Sequence, residues 1–102
     1  MIDTIRKMEK YYNEAAPVLE QLSLALEAYE TILPRLQELS DWYSSPDWMK
    51  AYEADEQGAL PAGLHRGVLS QDTLYDLFGE QLRLLRYMKS LTKENDDAIS
   101  QG

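Results

Sequence analysis

One uninterrupted heptad pattern of apolar residues runs from residue 2 to residue 43, and it constrains the fold more than any other feature. Spacings of three and four residues place its two sets of positions on one side of an α-helix, with Glu, Gln, Lys and Arg on the opposite side. The pattern therefore predicts a long amphipathic helix. The two sets are Ile5, Tyr12, Leu19, Leu26, Leu33 and Ser40, and Met8, Ala15, Leu22, Tyr29, Leu36 and Tyr43.

Two prolines lie within the span of this pattern. Pro17 and Pro34 each lack a backbone N–H donor, and each ring clashes with the carbonyl group four residues earlier. A break into two helices at Pro17 is one alternative, because proline suits the first turn of a helix. Ala16 is a poor N-cap, however, and the heptad phase continues without a shift. We therefore predict one long helix that bends at Pro17 and Pro34.

The sequence after this helix predicts a short helix and an ordered loop. Ser44 or Ser45 can cap the short helix, and Pro46 suits its first turn. Gly58 ends the helix, and residues 58–69 form a loop that contains three glycines. Because apolar residues are spaced through this loop, we expect it to be held against the core.

A last helix is predicted to begin at Ser70, which is a good N-cap. Leu69 and Leu74 occupy the two positions of a hydrophobic staple at this N-terminus. The apolar side of the helix then continues through Leu77, Phe78, Leu82, Leu85 and Met88.

These patterns predict an all-α fold with one small core, since a chain of 102 residues forms one domain. A long bent N-terminal helix, a short cross-helix with its ordered loop, and a C-terminal helix packed antiparallel form a helical hairpin or three-helix bundle. The single helical domain is expected to cover residues 1–93, and residues 94–102 are expected to form a polar C-terminal tail.

The two long helices are predicted to differ in length, at roughly 60 Å for the first and roughly 33 Å for the last. An antiparallel last helix then reaches only the level of Pro17, and the apolar residues before Pro17 have no cover. Either this segment folds back into an intramolecular bundle, or it pairs with a second chain. Because the heptad phase is continuous, we predict a homodimer with Ile5, Met8, Tyr12, Leu19 and Leu22 in the seam between the chains.

Composition excludes several classes of function. The chain has no cysteine, so it has neither disulfides nor thiolate chemistry. Its net charge of -8 would repel phosphates, which makes nucleic acid an unexpected partner. We find no signal peptide and no apolar run of the roughly 20 residues that a membrane span needs. A soluble cytoplasmic protein without a membrane span is therefore expected.

The central tract carries a two-part pattern of aromatic, turn and capping residues. It reads Trp42-Tyr43, Ser45-Pro46-Asp47-Trp48, Gly58-Ala59-Leu60-Pro61 and Gly67-Val68-Leu69-Ser70-Gln71-Asp72. The pattern resembles that of a bacterial family known as domain of unknown function 4298. Ala51 departs from it, because the family has an acid before the tyrosine. The resemblance implies a small bacterial helical protein, and it implies no activity.

No set of residues has the spacing of a catalytic, cofactor or metal-binding motif, so we predict no enzyme, no cofactor and no metal site. His65 is the only histidine, and it belongs to neither a Glu-x-x-His nor a His-x-x-x-His sequence. We interpret it as a surface or loop residue. The only candidates for acid–base chemistry or for a hard cation such as Mg²⁺ are Glu53, Asp55, Glu56, Asp72 and Asp76.

Aromatic residues are dense where the predicted helices meet, and the set comprises Trp42, Tyr43, Trp48, Tyr52 and Tyr75. Large rings at helical spacing usually belong to a core. The alternative is a partly exposed surface for a protein partner, since interfaces favour Trp and Tyr. We assign Trp42, Trp48 and Tyr52 to a structural joint or to a partner groove.

Three functions follow from these observations. We favour a non-enzymatic interaction or regulatory module that self-associates through helix faces and binds an unidentified protein partner. The second hypothesis is an acidic decoy, an inhibitor or immunity-type protein that binds a basic partner. The third is a metal-assisted enzyme built on Glu53, Glu56, Asp72 and Asp76.

Overall fold

The computed structural model describes the backbone of residues 1–101 and the side chains of residues 1–95, and this part of the chain is all-α. It contains three α-helices and no strand. The helices are α1 (Ile2–Tyr43), α2 (Pro46–Glu56) and α3 (Thr73–Gln101), with a 3-10 helix at Gly67–Leu69 between α2 and α3. The predicted all-α fold class is therefore confirmed.

Helix α1 continues through both of its prolines. Pro17 and Pro34 lie inside the 42-residue helix. The prediction of one long helix is therefore confirmed, and the alternative of two helices separated at Pro17 is wrong. None of the α1 side chains is buried within the chain. Helix α1 therefore contributes no fully buried side chain to a hydrophobic core within the single chain.

The chain divides into two compact units, Met1–Leu39 and Ser40–Gly102. Within the described residues the first unit is helix from Ile2 onward, and the second holds the buried apolar side chains Trp48, Leu69 and Leu74. The predicted antiparallel packing of the last helix on the first stays a prediction. The domain boundary after residue 93 stays a prediction as well, but the backbone of α3 continues as helix through residues 94–101, where a tail was predicted.

A serine pair turns the chain from α1 into α2. Ser45 has the extended backbone of an N-cap, and Pro46 follows at the first helical position, as predicted. The Ser45 side chain makes no capping bond to α2. Its hydroxyl instead donates to the carbonyl oxygen of Trp42 at 2.6 Å, and its N–H donates to the same oxygen at 2.9 Å. Ser45 therefore closes the end of α1 and leaves the start of α2 to proline geometry.

Helix α2 ends in a Schellman motif at Gly58. The Gly58 N–H donates to the Asp55 carbonyl at 3.0 Å, and the Ala59 N–H donates to the Ala54 carbonyl at 2.9 Å. Gly58 has φ of 69°, the left-handed conformation that this motif requires. The glycine that was predicted to end α2 therefore forms a turn in which the Gly58 and Ala59 N–H groups bond to carbonyls in the last turn of α2. The loop begins after this turn.

The start of α3 differs from the prediction. Ser70 is the residue that ends the 3-10 helix, where its N–H donates to the Gly67 carbonyl at 3.2 Å. Helix α3 begins at Thr73, and its first backbone bond runs from the Asp76 N–H to the Asp72 carbonyl at 2.8 Å. Ser70 is therefore wrong as the N-cap, because the 3-10 turn before it uses the local hydrogen bonds. The two staple residues, Leu69 and Leu74, are both buried.

Candidate functional site

Four aromatic side chains form a connected cluster in the second unit, which we call the aromatic joint: Tyr43, Trp48, Tyr52 and Phe78. The Trp48 ring stacks on Tyr52 with centroids 5.4 Å apart. It also meets the edge of Tyr43 at 5.0 Å, and Tyr43 lies 6.2 Å from Phe78. Edge and offset contacts of this kind each add about 0.5–1.5 kcal/mol beyond burial. The joint ties the end of α1 to α2 and to the first turns of α3.

Trp48 is the centre of this joint. Its side chain is 8% exposed, and its indole Nε1–H donates to the Val68 carbonyl oxygen at 2.9 Å. The bond satisfies the one polar atom of the ring, as a buried tryptophan requires. It also connects two residues that are 20 positions apart, and it holds the 3-10 helix against α2.

Two polar contacts surround the joint. Gln71 Nε2 donates to the Tyr52 hydroxyl at 2.9 Å. Arg66 Nη1 donates to Asp55 Oδ1 at 2.7 Å, and both of those side chains are partly exposed. An ion pair this accessible to water contributes little to stability. Its geometric effect is to attach the start of the 3-10 helix to the last turn of α2.

The structure separates the aromatic residues that the sequence grouped together. Trp48 is buried, Trp42 and Tyr52 are half-buried, and Tyr75 is 72% exposed. Tyr75 is therefore outside the joint, and Phe78, one helical turn further along α3, takes part instead. Phe78 could have been found from helical periodicity, because it lies four residues after the buried Leu74. Trp48 and Tyr52 both take part in the joint, and a partner-binding role for Trp42, Trp48 and Tyr52 stays a prediction.

The predicted seam residues all lie on one exposed surface of the first unit. We call this surface the apolar face of α1, and we define it by the exposed large side chains Ile5, Met8, Tyr12, Leu19, Leu22, Leu26 and Leu33. Single exposed apolar side chains are common on soluble proteins. A continuous row of this length is not, and such rows mark interaction sites.

A third column of apolar residues, which the heptad analysis missed, borders this face. Its members follow one another at seven-residue intervals: Tyr11, Val18, Ala25, Ile32 and Leu39. Tyr11, Val18 and Ile32 are exposed. The signal was present in the sequence, because an apolar stripe of three positions per heptad is typical of a helix that packs over a broad surface.

Helix α3 also carries exposed apolar side chains. Leu77, Leu82, Leu84, Leu85 and Leu91 are all exposed, whereas Met88 is half-buried. Among the α3 side chains up to residue 95, Leu74 alone is buried, and Phe78 is half-buried in the joint. Much of the apolar surface of this helix is therefore open to solvent in the single chain.

The carboxylates do not form a metal centre within the described residues. No group of three or more His, Cys, Asp or Glu side chains there is placed to hold a metal ion. Glu53, Glu56, Asp72 and Asp76 are exposed, and Asp55 is paired with Arg66. His65 is exposed as well. The hypothesis of a metal-assisted enzyme stays a prediction.

One exposed ion pair shifts a pKa on α3. Arg83 donates from Nε and Nη2 to the two carboxylate oxygens of Glu80, at 2.9 and 2.7 Å. These hydrogen bonds lower the pKa of Glu80 from its ordinary value of 4.5 and raise the pKa of Arg83. The pair is a bidentate contact one helical turn long, and it supports the helix locally.

Comparison with known proteins places most of the chain in one family. A family described as domain of unknown function (DUF4298) matches residues 5–91, which include nearly all of α1, the aromatic joint and most of α3. No curated protein and no solved structure matches the chain. Among the described residues, no helix combines the length and the apolar character needed to cross a membrane.

Proposed function

The chain belongs to the family described as domain of unknown function (DUF4298), and on that premise we propose that it is a non-enzymatic interaction or regulatory module. It self-associates through the apolar face of α1 and acts in the cytoplasm. A further protein partner binds the assembled dimer. The proposal rests on surfaces, because the family description names no activity.

The observation that carries the proposal is the exposure of α1. A helix of 42 residues has no buried side chain, although its sequence keeps one apolar face along its whole length. Leaving apolar surface in water forfeits about 25 cal/mol for each Å². A second helix laid on this face recovers that free energy, which is the driving force for self-association.

The two prolines of α1 strengthen this argument. A proline inside a helix costs about 3 kcal/mol or more, because a hydrogen bond is lost and the ring meets the preceding turn. Pro17 and Pro34 lie inside α1, and no side chain of α1 is buried within the chain. Contacts outside the single chain are thus the natural source of the free energy that keeps the helix continuous.

Sedimentation velocity at micromolar concentration tests the proposal. We expect a dimer whose dissociation constant changes little between low and high salt, because apolar contacts are not screened by ions. A strict monomer at these concentrations contradicts the proposal. Association only with basic proteins, lost in modest salt, would instead support the hypothesis of an acidic decoy.

A matched pair of variants locates the interface on α1. Leu19 is 64% exposed and lies on the apolar face, whereas Leu24 is 61% exposed and lies about 140° around the helix. We expect Leu19→Glu to weaken dimerisation at least tenfold, because it places a charge in the seam. Leu24→Glu introduces the same charge on the same helix and should leave the dissociation constant within about twofold. Equal effects of the two changes would contradict the assignment of the face.

A further inference from the structure

We propose that two copies of this chain pair through α1 in an antiparallel arrangement, with the column that contains Val18 and Ile32 packed against the same column of the second copy. This inference rests on the proposed self-association and adds its orientation and register. It is argued from the two flanks of the apolar face.

The flanks of the apolar face differ in character. On one side lies the third column, whose members Tyr11, Val18, Ala25, Ile32 and Leu39 are all apolar. On the other side lie Glu9, Ala16, Ser23, Glu30 and Gln37, which are polar or small. Flanking positions of this kind set the partner and the orientation of paired helices.

Orientation decides which flanks meet. In a parallel pair, each flank faces the opposite flank of the second copy, so Ala25 and Ile32 would lie beside Glu30 and Gln37. In an antiparallel pair, each flank faces the same flank of the second copy. Apolar residues then cover apolar residues, and the polar flanks stay at the edge of the interface. Only the antiparallel pair removes the third column from water without burying a carboxylate. Antiparallel helix dipoles also attract each other.

Charge and overlap then select the register. Antiparallel packing brings Leu19 opposite Tyr29 of the second copy, and Tyr12 opposite Leu36, in the register with the longest overlap. In this register Glu9 faces Gln37, and Ser23 faces itself. A shift by one heptad in one direction opposes Glu9 and Glu30 twice, and like charges in direct opposition destabilise a pair. A shift by one heptad in the other direction opposes no like charges on this flank, but it shortens the overlap of the two helices.

The size of the face suits a stable dimer. At 1.5 Å per residue the 42 residues of α1 extend about 63 Å, and a helix is about 10–12 Å wide with its side chains. The face therefore covers on the order of 700 Å², close to the ~800 Å² that each partner contributes to a stable interface. The end of this face at Tyr43 already packs in the aromatic joint, so nearly all of the remaining length must overlap to approach this area.

Single-cysteine cross-linking of the full chain tests the arrangement, because the natural sequence contains no cysteine. The variants are Val18→Cys, Ala25→Cys and Ile32→Cys, each treated with a short bismaleimide after denaturation and refolding, alone or mixed. The antiparallel register places residue 18 against residue 32 of the second copy and residue 25 against itself. Residues 18 and 32 are about 21 Å apart along one helix, so a short reagent separates the registers.

We expect Ala25→Cys to cross-link with itself, and Val18→Cys to cross-link with Ile32→Cys in the mixture but not alone. Self-linked Val18→Cys and Ile32→Cys would overturn the inference in favour of parallel pairing. A dimer by sedimentation that gives none of these links would also overturn it, while leaving the proposed self-association intact. A monomer by sedimentation would overturn both.

Discussion

The two units of this chain obtain their stability in different ways. The second unit combines two helix starts, a Schellman turn and a 3-10 helix within about 35 residues, and these bring Trp48, Leu69 and Leu74 together in a small core. The first unit has a more regular apolar pattern, and yet α1 has no buried side chain. A periodic face alone does not make a core, because a single helix cannot cover its own apolar side. In the second unit, turns bring other segments onto the apolar side chains and bury them. In the first unit, we propose that a second copy of the chain buries the apolar face of α1.

The largest expected effect is at Trp48. Trp48→Ala removes the stacking on Tyr52 and opens a cavity in the joint, so we expect the free energy of unfolding to fall by about 3–5 kcal/mol. Urea denaturation followed by circular dichroism measures this loss. Tyr75→Ala is the matched control in the same unit, and its exposed ring should cost no more than about 0.5 kcal/mol.

A second variant at the same position separates packing from hydrogen bonding. Trp48→Phe keeps an aromatic ring but leaves the Val68 carbonyl without its indole donor. Together with the smaller ring, this should give a loss between those of the control and of Trp48→Ala. Equal losses for Trp48→Ala and Tyr75→Ala would show that the second unit does not depend on its joint.

A smaller effect is expected at the turn that ends α2. Gly58→Ala has open space around the new methyl group, but an alanine at φ of 69° is strained by about 1–2 kcal/mol. Gly63→Ala is the matched control, since its site is equally open and its φ is outside the left-handed region. We expect thermal melts to show a lower Tm for the first variant and an unchanged or slightly higher Tm for the second. A similar loss in both would mean that the Schellman turn does not define the end of α2.

The smallest effect concerns the exposed pair on α3. The hydrogen bonds from Arg83 lower the pKa of Glu80. The pair therefore stabilises the folded chain fully at a pH above 4.5, the ordinary pKa of Glu80. This stabilisation is lost as the pH falls through the lowered pKa. Glu80→Gln should therefore have a slightly lower Tm than the natural chain at pH 7. The difference should vanish at a pH below the lowered pKa. A difference that persists in strong acid would show that the pair acts through something other than charge.

The sequence predicted which helices form and their order because those signals are local, but it made α3 too short, since this helix continues to Gln101. Heptad phase through Pro17 and Pro34 indicated one continuous α1, and Gly58 marked the end of α2. The sequence-based prediction placed the start of α3 two residues too early. The 3-10 turn before Ser70 depends on contacts of the loop with the rest of the unit, and these contacts are not local. The joint was only partly predictable for the same reason. The Trp48 bond to Val68 joins residues 20 apart, and no spacing rule predicts such a contact. Helical periodicity did place Phe78 on the apolar side of α3, but it did not show that this ring would meet Tyr43.

Hydrogen exchange at several protein concentrations tests the central claim most directly, because local protection reports what stabilises each segment. We predict that amides in residues 10–39 become more protected as the concentration rises through the dissociation constant of the dimer, while amides of α2 keep the same protection throughout. Protection of α1 that is high at all concentrations would contradict the account, and so would protection that stays low at all of them.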